Sequence, residues 1–169
     1  MRYEVNAPDR FVVGTVGEPG ERAFFIQVRK QDSCWSAAIE KEQVRAVVAR
    51  LELMISEIKK ANPLEIAERV PTDDAALDSP VDSLFEIGAI SLSWDEQMKM
   101  ICCELYELKA DEDEAEGEML VVYFNLGMAQ AFCIRSKAVV NAGRLPCPFC
   151  AIPIDPRGHL CPRANGYRR

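Results

Sequence analysis

The chain has 169 residues, 49% of them hydrophobic and 28% charged, with a formal net charge of −7. That fits one domain with an appendage rather than two full domains, and it is long enough to bury roughly two-thirds of its extended surface without staples. No apolar run reaches the roughly 18 residues of a membrane span, and the charges in MRYEVNAPDRF sit where a signal peptide would carry its apolar segment.

RFVVGTVG (10–17) reads as a strand, rich in β-branched residues and broken by Gly14. EPGE (18–21) is a turn, with Pro19 fixing φ and Gly20 free to take positive φ. RAFFIQVRK (22–30) is the second strand of this hairpin, and CWSAAI (34–39) is a third strand after a short turn.

EKEQVRAVVARLELMISEIKKA (40–61) is the clearest element. Val44, Val47, Val48, Leu51, Met54, Ile55 and Ile58 recur at three- and four-residue steps and share one helix face. Acids gather at its start and Lys59–Lys60 near its end, as the helix dipole prefers, and Asn62-Pro63 stops it. That stripe is expected to pack on the protein's own sheet.

Residues 62–83 hold three prolines and six acids and read as a long surface loop, with a helical turn near 64–69. Loops of this length are either functional or disordered. LFEIGAISLSWD (84–95) alternates at Ile90, Leu92 and Trp94 and is a strand. QMKMICCELYEL (97–108) is expected to pair back with it, although Met98, Ile101, Cys102 and Leu105 also fit a helical face. ADEDEAEGE (110–118) is an acidic loop that lacks the spacing of an EF-hand calcium loop. MLVVYF (119–124) is a buried strand. Asn125 then caps a helix through about Asn141, with Leu126, Ala129, Phe132, Cys133 and Val140 inward, and Gly143 ends it as a C-terminal cap.

Strands come in two runs rather than alternating with helices. The expected fold is α+β: an antiparallel sheet carrying both helices on one face. The body spans residues 1–143, and residues 144–169 form a separate tail. No internal repeat is visible in the sequence.

The tail holds three of the seven cysteines and the only histidine. Cys147 and Cys150 form a C-x₂-C pair stiffened by Pro148, and His159 and Cys161 follow as an H-x-C pair after Asp155-Pro156-Arg157-Gly158. Four N/S ligands complete tetrahedral Zn²⁺ and leave no open position, which defines a structural site. H-x-C is tighter than the usual separation, and Gly158 can supply the unusual turn it needs. Only Phe149, Ile152, Ile154 and Leu160 are sizeable apolar residues between the ligands. They cannot offset roughly 1–2 kcal/mol of backbone entropy per ordered residue, whereas Zn²⁺ binding at roughly 10–16 kcal/mol can. The alternatives are a Cys147–Cys150 disulfide or redox pair, and a disordered tail with free thiols. The redox reading lacks a βαβ context. Cys34, Cys102, Cys103 and Cys133 lie in apolar patterns and are expected to be buried.

The tail also carries five arginines against one acid, making it +4 and leaving −11 for the residues before it. An acidic body repels nucleic acid. Arg163, Asn165, Tyr167, Arg168 and Arg169 are therefore candidates for a protein partner's carboxylates or phosphates. Nucleic-acid binding by the tail, with Tyr167 stacking on a base, is the alternative. Nothing marks an enzyme: the one histidine is assigned to metal, and no phosphate-cradling glycine loop precedes a helix. A cleft under loop 62–83 holding converging carboxylates, or Arg10 and Arg22, would change that.

PDRFVVGTVGEPGERAFFIQVR (8–29), IEKEQV (39–44) and GRLPCPFCAIPIDPRGHLCPRANGYRR (143–169) together resemble the DUF3090 family, uncharacterised proteins mainly of actinobacteria and their relatives. The resemblance implies Cys147, Cys150, His159 and Cys161 as ligands and no activity. Ala151 stands where the family pattern has a glycine after the second cysteine. The combined expectation is a cytoplasmic zinc-binding interaction protein.

Overall fold

The computed structural model describes residues 1–64, 69–110, 117–154 and 158–164. Its elements in chain order are β1 (Arg2–Asn6), β2 (Arg10–Val16), β3 (Ala23–Lys30), β4 (Ser33–Ile39), α1 (Lys41–Ala61), β5 (Ser83–Asp95), β6 (Met100–Glu107), β7 (Met119–Phe124) and α2 (Leu126–Asn141). One seven-stranded sheet has the order β1-β7-β6-β5-β4-β3-β2, so the fold is α+β. Residues 97–108, open between helix and strand, contain strand β6, which pairs antiparallel with both β5 and β7. The expected helical turn near 64–69 lies largely outside the described residues, as does most of the acidic loop.

The sheet is mixed rather than wholly antiparallel. Each run of strands, β2-β3-β4 and β5-β6-β7, is an antiparallel meander. The two joins, β4 with β5 and β1 with β7, are parallel. The β4–β5 join follows from α1 lying between those strands: a helical crossover returns the chain in its original direction. Each meander is followed by a helix, so the element order β-β-β-α occurs twice. Strand β1 has no counterpart in the sequence expectations, because RYEVN offers only Tyr3 and Val5 as an alternating pair.

Residues Ala7, Pro8 and Asp9 alone carry the chain from one edge strand, β1, to the other, β2. Three residues span at most roughly 14 Å, so the two edges converge at this corner and the sheet curls. Phe11 on β2 and Phe124 on β7 accordingly lie with ring centroids 4.7 Å apart.

Both helices pack on the same face. The seven residues predicted for α1 are the seven it buries. They meet Val13, Ile26, Val28, Ile101, Leu105 and Leu120 of the sheet and Ala129, Phe132 and Cys133 of α2 in one core. Gln43 fixes the start of α1: its Oε1 accepts from Glu40 N–H at 2.9 Å, and its Nε2 donates to Ile87 C=O at 2.9 Å. Asn125 caps α2 through Oδ1, which accepts from Met128 N–H at 2.8 Å. Gly143 does not act as a left-handed cap. The C-cap of α2 is Ala142 at φ −71°, and Gly143 is not among the positive-φ glycines. No described helix is long and apolar enough to cross a membrane.

The opposite face of β2–β4 is covered by residues 71–80, the latter part of the predicted loop. Leu77 lies over Gly14, where an added Cβ would come within 2.5 Å of its side chain. Gly14 therefore makes room for Leu77 and does not break β2, which runs through it paired with Phe25. Gln27, fully buried on this face, accepts from Asp78 N–H and donates to Asp78 C=O. The segment is thus a strap bonded to the sheet.

Candidate metal centre

The tail folds around a tight turn. Ala151 N–H donates to Cys147 C=O at 2.8 Å and Cys147 N–H donates to Ile152 C=O at 2.9 Å. Pro146 and Pro153 form an antiparallel bridge, with Ile154 N–H donating to Leu145 C=O. Ala151 takes the left-handed conformation at φ +61°, which glycine would adopt without the Cβ penalty. Gly158, just before His159, sits at φ +121° with nothing within 4 Å of an added Cβ. Backbone conformation alone, not crowding, requires glycine at 158.

These turns bring Cys147, Cys150, His159 and Cys161 together, with all four candidate ligand atoms within 4.8 Å of one another. Cys147 Sγ lies 3.7 Å from Cys161 Sγ, and Cys150 Sγ lies 3.3 Å from His159 Nε2. A tetrahedral ion with Zn–S near 2.3 Å and Zn–N near 2.0–2.1 Å would set these edges at about 3.8 Å and about 3.6 Å. The donor set and its spacing fit a zinc-sized ion. All seven cysteines are free thiols, and the Cys147–Cys150 disulfide is not formed.

Among the described residues of the tail, the buried side chains are two of its ligands. Cys147 and Cys161 are 5% and 6% exposed, while Phe149 and Leu160 are 62% and 86% exposed. The apolar side chains face outward, so burial does not hold this segment together. Backbone N–H groups of Phe149 and Cys150 point at Cys147 Sγ and bring its thiol down to about 6, which favours a thiolate ligand. Burial pushes Cys150 upward.

Arg163 donates from Nη1 to Phe149 C=O at 3.2 Å, tying the chain after Cys161 back to the first knuckle. Asn165, Tyr167, Arg168 and Arg169 lie outside the described residues. Of the other cysteines, Cys102, Cys103 and Cys133 are buried as expected, but Cys34 is exposed. It is the second residue of β4, on the strap face opposite Arg29, away from the helices.

A second cluster was only half visible in the sequence. Arg10, 6% exposed, donates through Nε and Nη2 to the Asp73 carboxylate at 2.6 and 3.0 Å. Arg135 of α2 reaches the same carboxylate at 3.2 Å and caps Val13 C=O on the sheet edge at 2.8 Å. The hydrogen bond from Arg10 holds the Asp73 carboxyl below its ordinary range, and burial lowers Arg135. Arg22 is elsewhere, 5.3 Å from the Phe24 ring centroid with Nη1 on Val139 C=O. Arg135 takes its place beside Arg10. Its signal was an arginine three residues from Phe132, within the inward stripe of α2.

Compared with known proteins, the chain matches the family model described as DUF3090, protein of unknown function, over residues 3–161. That span includes all four clustered ligands and ends on the last of them. No curated protein and no solved structure matches the chain.

Proposed function

The chain belongs to the DUF3090 family, and on that premise we propose that it is a cytoplasmic interaction protein whose C-terminal knuckle is shaped by structural Zn²⁺. The observation that carries this reading is the Cys147–Cys150–His159–Cys161 cluster, four N/S donors within 4.8 Å at the centre of a segment whose described residues bury no large apolar side chain. Four protein ligands leave the ion no open position, so its role is structural. The ion would be held by the three sulfurs and the imidazole, and its binding free energy would be the folding free energy of the tail.

The surface so shaped is apolar and basic. Phe149, Ile152 and Leu160 face outward, and Arg163 is anchored beside Phe149. The sequence that follows adds Asn165, Tyr167, Arg168 and Arg169. An acidic protein partner with an apolar anchor pocket matches that combination: arginines give bidentate contacts to carboxylates, and a pre-formed knuckle lowers the ordering cost of binding.

The test is affinity capture from native lysate by zinc-loaded protein, by Cys147→Ser, and by a chain carrying both Arg168→Ala and Arg169→Ala. A specific protein retained by the first and lost by the other two supports the reading. Equal retention by all three contradicts it. Salt-dependent binding of a labelled oligonucleotide would instead favour nucleic-acid recognition, with exposed Phe149 as a stacking surface.

A further inference from the structure

A second candidate site lies at the β2 edge, separate from the metal centre. A half-open cavity of about 320 Å³ lies there between β2, α2 and the start of the strap, a size suited to a small ligand. Phe11, Met128 and Phe132 supply an apolar wall, with the Phe11 and Phe132 rings stacked at 4.5 Å. Arg10, Asp73 and Arg135 supply the polar one.

The two guanidinium groups are not equally engaged. Every nitrogen of Arg10 has an acceptor: Nε on Asp73, Nη2 on Asp73 and on the Ala75 and Ala76 carbonyls, and Nη1 near Gln27 and Asp78. Arg135 uses Nε on Val13 C=O and Nη1 on the Asp73 carbonyl and carboxylate. Among the described residues its Nη2 has no acceptor, although Arg135 is only 8% exposed. The two contacting carboxylates, Asp73 and Asp78, are already shared by Arg10, Arg29 and Arg135. Asp9, which also lines the cavity, accepts from Gln31 N–H.

Arg135 Nη2 is not among the fully buried unpartnered atoms, so solvent reaches this end of the guanidinium, and an anionic ligand can replace water there. We infer that this cavity receives the anionic group of a small organic acid, a carboxylate or a phosphate ester, on Arg135 Nη2, with the ligand's apolar part against Phe11, Met128 and Phe132. Charge-assisted hydrogen bonding to a guanidinium suits either oxyanion. Asp73 pre-sets the Arg135 side chain, and the strap forms the cavity wall.

The test uses the full-length zinc-loaded protein, titrated with inorganic phosphate and with benzoate at constant ionic strength and followed by amide NMR shifts. Saturable shifts at residues 70–73 and 128–135 with either ion, and none with chloride, are expected. The ion that saturates at lower concentration tells a phosphate site from a carboxylate site. Arg135→Met should lose the saturable response. Because that variant also loses the bond to Val13, Met128→Glu serves as a second. It keeps every Arg135 contact, places a carboxylate on the cavity wall, and suits the first turn of α2. It should weaken binding by about tenfold or more. No saturable shift in the wild type, or undiminished binding in Met128→Glu, would overturn the inference.

Discussion

Cys147 Sγ and Cys161 Sγ lie 3.7 Å apart across fourteen residues of chain, and both side chains are buried where, among the described residues of the tail, no large apolar side chain is. Closing that loop costs conformational entropy that the outward-facing Phe149 and Leu160 do not return. A shared ion between the sulfurs is the interaction available to offset it.

Replacing Cys147 by serine should therefore abolish tight zinc binding and unfold the knuckle while leaving the body intact. Amides of residues 145–154 and 158–164 should exchange hydrogen freely, and the body should keep one cooperative melting transition. Unchanged zinc content, or retained protection in the knuckle, would show that the ligand set is wrong.

Ala151 holds a left-handed φ of +61°, which costs a non-glycine residue roughly 1–2 kcal/mol. Ala151→Gly should relieve most of that and slow zinc loss to a competing chelator by about fivefold. Gly158→Ala should act in the opposite direction, because Gly158 sits at φ +121°. Chelator-competition kinetics on the two variants checks both signs.

Val48 is 5% exposed on the α1 core face. Val48→Asp would bury a charge with no partner, at a cost on the order of 3–5 kcal/mol or more, a large part of a typical domain's 5–15 kcal/mol. The variant should be unfolded or strongly destabilised in urea. A normal denaturation midpoint would mean that α1 packs through another face.

Asp73 ties Arg10 and Arg135 to the strap, and its carboxyl is held below the ordinary carboxylate range by the hydrogen bond from Arg10. A depressed folded-state value means the stabilisation is present above the unfolded value of about 3.9. It is lost as pH falls through the lower folded value. Asp73→Asn should thus be less stable than the wild type at pH 7, with the gap narrowing below about pH 4. Urea midpoints that stay equally far apart in acid would contradict this role.

Much of the fold was legible because it rests on periodicity. The stripe from Val44 to Ile58 defined the buried face of α1, and Asn125 marked the start of α2. The ligand set was legible from spacing, since C-x₂-C and H-x-C are local patterns. Long-range relationships were not. Gly14 reads as a strand breaker until Leu77, 63 positions later in the chain, is seen to lie on it. Strand β1 depends on pairing with β7, more than a hundred residues away. Arg135 reads as a helix surface residue until it meets Val13 and Asp73, because one sequence does not reveal which elements form the sheet edge.

The central claim is tested most directly by zinc analysis together with X-ray absorption at the zinc edge, on protein purified without added metal. The account predicts one zinc per chain in a shell of three sulfurs near 2.3 Å and one nitrogen near 2.0–2.1 Å. Protein free of zinc that keeps an ordered knuckle, or a shell dominated by oxygen, would contradict it.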